Sequence, residues 1–129
     1  MAALIVDSHQ LGRDAIQVAL AARGITATAL EHPADALELL NVDPTGYTVV
    51  AVAGTQQDDA RGIMFLGDVR RDTRFDRIEL VWYPGTGPRA DNKLPDNAAA
   101  GIYLSGTYCR NSDPANVADA IETLHRGRW

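Results

Sequence analysis

Apolar residues along the chain fall into runs whose period changes at regular intervals. Ala2 to Val6 is a continuous apolar run that stops at Asp7-Ser8, which predicts a buried strand of about five residues. From His9 to Arg23 the period lengthens. Leu11, Ala15, Val18, Ala19 and Ala22 form the stripe of an amphipathic helix, widened by Ile16 and Leu20, with Gly24 as its C-terminal cap. Ile25 to Leu30 reads as a second strand. Pro33 opens a second helix whose apolar face is Ala36, Leu37, Leu39 and Leu40, and Asp43-Pro44-Thr45-Gly46 is a turn. Tyr47 to Ala53 is the most apolar strand, and its unbroken apolarity implies cover on both faces.

After a polar loop from Thr55 to Arg61, Ile63, Leu66 and Arg70 stand at helical spacing, with Gly67 weakening the segment. Ile78 to Tyr83 predicts a fourth strand. Pro84 to Asn97 carries Gly85, Gly87, Pro88 and Pro95 and cannot be regular helix throughout, although Ala98 to Gly101 can add one turn. Ile102 to Leu104 predicts a short fifth strand. Ser112-Asp113-Pro114 starts a last helix whose face is Val117, Ala118, Ile121 and Leu124, ending near Gly127. Strand and helix alternate throughout, the pattern of a parallel sheet with helices on both faces and right-handed crossovers. In such sheets the functional groups gather at the carboxyl ends of the strands.

Composition narrows the function classes. The chain has 129 residues, 46% of them hydrophobic and 22% charged, which fits one globular domain spanning 1–129. Twelve Lys and Arg against seventeen Asp and Glu leave a net charge of −5, unlike a nucleic-acid surface. Cys109 is the single cysteine, so neither an internal disulfide nor a metal cage is expected. There is no apolar run of membrane-spanning length and no signal-peptide pattern at Met1-Ala2-Ala3-Leu4, so a cytoplasmic location without membrane contact is expected.

The strand ends place Asp7 and Ser8 after strand one, Ala53 at the end of strand three, Trp82 and Tyr83 at the end of strand four, and Gly106 after strand five. Ala3-Leu4-Ile5-Val6-Asp7-Ser8-His9-Gln10-Leu11-Gly12-Arg13-Asp14-Ala15 resembles the opening of a response-regulator receiver domain. Ala34 to Leu40 resembles the second helix of that family. Ala99-Ala100-Gly101-Ile102-Tyr103-Leu104 is similar to its entry into the fifth strand, and Ala120 to Trp129 to the final helix of the NarL/LuxR-type subgroup. The resemblance covers essentially the whole chain. It implies a CheY-like, flavodoxin-like doubly wound sheet of five parallel strands in the order 2-1-3-4-5, here with a degraded fourth helix.

The family's chemistry does not carry over with the fold. Receivers accept a phosphoryl group on an Asp ending strand three, where Ala53 offers a methyl group with no oxygen to attack phosphorus. The acidic pair that holds Mg²⁺ is reduced to Asp7, with Ser8 in the second place. The switch hydroxyl of strand four falls at Trp82 or Tyr83, and the lysine of strand five at Gly106. The vestigial pocket is therefore Asp7, Ser8, Ala53, Trp82, Tyr83 and Gly106. Asp58 and Asp59 read as solvated loop carboxylates.

Asp7-x-His9-x-x-Gly12 has the spacing of the cobalamin-binding signature of B12-dependent mutases and methyltransferases, with His9 as cobalt ligand. The segments after strands three and four do not match that family, and His9 reads as an exposed start of helix one. Pro84-Gly85-Thr86-Gly87-Pro88 lacks the spacing of a phosphate cradle. Arg70, Arg71, Arg74 and Arg77 are interleaved with Asp68, Asp72, Asp76 and Glu79, a mixed solvated face. Ser105 and Cys109 have no identifiable base, and His32 and His125 read as surface residues.

The resemblance thus implies a non-enzymatic, phosphorylation-independent pseudo-receiver of a transcriptional regulator, needing no cofactor. Its expected partners are a second copy of itself in a homodimer, another protein, or a small-molecule ligand. Tyr103, Asn116, Asp119, Ala120 and Thr123 are the expected switch and partner surface. DNA would be contacted only through a domain outside this chain.

Overall fold

The structure is a computed structural model that describes residues 2–53, 59–83, 107–108 and 113–127. Its strands are β1 (Ala2–Val6), β2 (Ala27–Leu30), β3 (Tyr47–Ala53), β4 (Glu79–Tyr83) and β5 (Thr107–Tyr108). Its helices are α1 (Gln10–Ala21), α2 (Pro33–Val42), α3 (Asp59–Arg71) and α4 (Pro114–Arg126), with a 3-10 turn at Thr73–Phe75. Four strands of four to seven residues lie in the order β2-β1-β3-β4, all parallel. A two-residue fifth strand, Thr107–Tyr108, pairs parallel to the outer side of β4.

The expected five-stranded sheet with a short fifth strand is found as four full strands and a two-residue edge at Thr107–Tyr108. The Ile102–Leu104 stretch expected to supply the fifth, and the Pro84–Asn97 segment expected to replace a regular fourth helix, lie outside the described residues. The α3 helix begins at Asp59, inside the stretch expected to be loop.

Side-chain alternation along the central strands divides the core in two. Ala3, Ile5, Val49, Ala51, Ala53, Val81 and Tyr83 pack on one face with Ile16 and Leu20 of α1 and Val117, Ala118 and Ile121 of α4. Leu4, Val6, Val50, Val52, Leu80 and Trp82 pack on the other with α2 and α3. Successive strand residues point to opposite faces, so each central strand needs apolar residues at nearly every position, with the polar Thr48 and Glu79 confined to the strand starts.

The α1 helix keeps Ile16 and Leu20 of the expected stripe inward but is turned so that Leu11 and Val18 face out. Gly12, Ile16 and Leu20 are buried, whereas Leu11 and Val18 are 84% and 69% exposed. The helix is apolar on most sides, and Gly12, which has no side chain, takes part of the inward face, so contact with the sheet decides the final rotation. Its C-terminus follows expectation. The Ile25 amide donates to Leu20 O and the Gly24 amide to Ala21 O, the paired bonds of a Schellman motif, with Gly24 left-handed at φ 75°. Asp113 caps α4 by accepting the Ala115 amide at 3.0 Å, ahead of Pro114 in the first turn.

Two residues read as surface groups are built into the frame. Arg70 donates from Nη2 to the carbonyl of Ile78 at 2.7 Å, fixing the chain as it enters β4. His125 Nδ1 lies 2.5 Å from the hydroxyl of Thr48, a buried residue at the start of β3. Burial, Arg126 and the chain's amino terminus together push the His125 imidazole pKa down.

Candidate functional site

The carboxyl ends of β1, β3 and β4 meet at Asp7, Ala53 and Tyr83. Asp7 extends β1 by donating its amide to Leu30 O at 3.0 Å. Alternation continues past Val6, so its side chain belongs to the face that carries Ala53 and Tyr83. Ala53 and Tyr83 are register partners across β3 and β4. Because β3 lies between β1 and β4, the Tyr83 phenol reaches across the small Ala53 side chain to get to Asp7.

Tyr83 donates its hydroxyl to Asp7 Oδ2 at 2.8 Å, a bond with both partners buried: Asp7 is 1% exposed and Tyr83 fully enclosed. Asp7 Oδ1 accepts the His9 backbone N–H at 2.8 Å, an Asx-type turn that leads the chain into α1. Arg13 closes the turn by donating Nη1 to the Asp7 carbonyl at 2.9 Å. Burial pushes the Asp7 carboxyl above the usual carboxylate range. The His9 amide, the Tyr83 hydroxyl and the nearby His9 and Arg13 charges act in the opposite direction without cancelling it.

Trp82 and Tyr83 were both expected at the vestigial pocket, and the structure separates them. Tyr83 enters the pocket, whereas Trp82 is buried on the opposite face against α2 and α3. Ser8 follows Asp7 half-exposed, and Ala53 is 5% exposed. Gly106 and Tyr103 lie outside the described residues, as do Asp58, Ser105 and Cys109. The phenol at the end of β4 is visible in the sequence, but its bond to Asp7 is a long-range pairing that only the fold reveals.

A divalent cation of the receiver kind does not fit these residues. Such an ion wants several hard oxygen donors around it. Here Asp7 has given each carboxylate oxygen to a hydrogen-bond donor, the next residue is a serine, and Ala53 has no oxygen to offer. Among the described residues no group of three or more His, Cys, Asp and Glu comes together. The cobalamin geometry is not favoured either, because Asp7 receives the backbone amide of His9 rather than its ring.

On α4, Asn116, Asp119 and Thr123 are exposed and Ala120 is half-buried. Asp119 is not free, because Arg23 reaches it at 2.7 Å. Arg23 also lies 3.7 Å from Glu122, and its carbonyl accepts Arg126 Nη2 at 2.9 Å. This cluster, absent from the sequence reading because its members lie far apart in the chain, clamps the end of α1 to α4. No described helix is long and apolar enough to cross a membrane.

No family model matches the sequence, and no curated protein matches it. Solved structures do match it. An atypical orphan response regulator, described as having a phosphorylation-independent regulatory mechanism, aligns with a TM-score of 0.71 at 16% identity, over 98% of this chain and 96% of its own. An orphan response regulator of H. pylori aligns at 0.72 and 15% identity, over 98% and 97%. A CheY-like receiver domain from Methylobacillus flagellatus aligns at 0.69 and 19%, over 96% and 98%. The chain therefore shares the CheY-like α/β fold along nearly its whole length.

Proposed function

We propose that this chain is a receiver-like signalling module of a transcriptional regulator, of the NarL/LuxR type, that works without phosphotransfer and is not an enzyme. The observation that carries the reading is Ala53. It ends β3 beside Asp7, where a phosphoryl-accepting module needs an oxygen nucleophile, and it has none. The Tyr83 hydroxyl on Asp7 supports the same conclusion from the side of the metal. The likeness in fold to an orphan regulator described as phosphorylation-independent is consistent with it.

Such a module acts through its surfaces, in the cytoplasm, on another protein or a second copy of itself, with a small ligand as a further input. DNA contact then falls to another domain or chain, in keeping with the net charge of −5. The exposed side of α4, with Asn116 and Thr123, and the adjoining exposed Leu11 and Val18 of α1 offer the self-association surface. Apolar residues held outward on a helix are the usual material of such contacts.

Two measurements test the proposal. Incubation with acetyl phosphate, a small-molecule phosphodonor, should add no phosphoryl group to the intact mass; a stoichiometric adduct would overturn the reading. Sedimentation should give a dimer that Thr123→Lys or Asn116→Lys converts to monomer, and an unchanged mass would dispose of the α4 surface.

A further inference from the structure

The Asp7–Tyr83 bond joins the exits of two strands that are not neighbours. We infer that it is a built-in latch: Tyr83 occupies the strand-end pocket permanently and holds the exit of β4, and with it α4, in one arrangement. This rests on the proposed receiver-like function and deepens it by naming what fixes the module's state once phosphate is gone.

Three observations carry the inference. Both ends of the bond are buried, so neither partner has water as a substitute, and breaking the bond strands a carboxylate oxygen in a dry site. The Asp7 end is itself fixed, because its other oxygen holds the His9 amide and its carbonyl holds Arg13. Tyr83 belongs to the same buried core cluster as Val117, Ala118 and Ile121 of α4, so a movement of the ring is passed through that packing toward the helix. Cores packed to native density pass such movements on rather than absorbing them. Ala53 is part of the device, since any larger side chain there meets the phenol on its way to Asp7. A two-state element needs something to bias it, and here the bias is a hydrogen bond written into the sequence.

The test is a double-mutant cycle on the full chain, read by amide NMR and hydrogen exchange. Tyr83→Phe and Asp7→Ala should each speed exchange of the β4 amides about tenfold or more, the factor expected for one lost buried hydrogen bond. Each should also move amide signals along α4, and the double variant should add little to either effect. Asp7→Asn should leave the α4 amide signals in place and the β4 amides no less protected than in wild type, since its amide can still accept from His9 and bond the phenol. Additive effects of the two changes, or Tyr83→Phe shifts confined to residues against the ring, would overturn the latch. Phosphoryl uptake by the wild-type chain would instead overturn the underlying reading, so the two failures are distinguishable.

Discussion

Putting the missing acid back should damage this pocket rather than restore it. Ala53→Asp sets a second carboxylate one step past the Val6–Val52 register pair, beside Asp7. Adjacent strands lie about 4.8 Å apart. At an effective dielectric of about 20, two like charges at that distance repel by about 3.5 kcal/mol. The Tyr83 hydroxyl is already committed to Asp7. The repulsion pushes one of the two carboxyls well above the usual carboxylate range.

The folded variant therefore binds a proton more tightly than its unfolded chain, and its deficit is largest above the raised value and shrinks as the pH falls. Urea denaturation followed by tryptophan fluorescence should show a loss of about 3 kcal/mol at about pH 7.5 that shrinks steadily as the pH falls and is mostly gone only near the ordinary carboxylate value of about 4. Ala53→Asn, similar in size and uncharged, should show the cost of bulk alone with no such pH dependence. Wild-type stability in Ala53→Asp at about pH 7.5 would refute the electrostatic argument. Full rescue of that variant by Mg²⁺ would also refute it, by revealing a latent cation site.

Three further outcomes follow from the same coordinates. Leu20→Ala, fully buried, should cost about 2–5 kcal/mol in urea melts, whereas Leu11→Ala and Val18→Ala should stay within about 0.5 kcal/mol; the reverse order would contradict the outward placement of Leu11 and Val18. Asp7→Asn should become more stable than wild type as the pH rises, because burial raises the folded Asp7 pKa and makes its ionised form costly above that value; a variant less stable than wild type at neutral pH contradicts this. His125 behaves oppositely. Its folded pKa is held low, so stability present at neutral pH should be lost as the pH falls through the ordinary imidazole value of about 6.5, and His125→Gln should flatten that profile.

Much of the fold was legible because its signals are local. The unbroken apolar run at Tyr47–Ala53 marked the central strand, and Gly24, Pro33 and Asp113-Pro114 marked helix ends through backbone chemistry that neighbouring residues decide. The errors occurred where several local solutions were equally apolar. The α1 helix could turn either of two faces inward, and only the sheet decided between them. The length and placement of β5 depend on pairing with β4, which no short window of sequence contains.

The candidate site divides the same way. Ala53 at the end of β3 was readable, since strand ends follow from strand periods. The Tyr83–Asp7 bond was not, because it joins positions 76 residues apart and depends on Ala53 leaving a path between them. The Arg23 clamp on Asp119 and Glu122, and the Thr48–His125 bond, are likewise long-range pairings of side chains that look solvated in sequence.

The most direct test of the central claim is an amide NMR spectrum recorded before and after adding Mg²⁺ and beryllofluoride, which mimics a bound phosphoryl group. If Tyr83 and Ala53 leave no site for cation or phosphate, the signals of Asp7, Ala53 and Tyr83 will not move. Saturable shifts at those three residues would contradict the account, because they would place an anion and its metal in the space assigned here to a phenol.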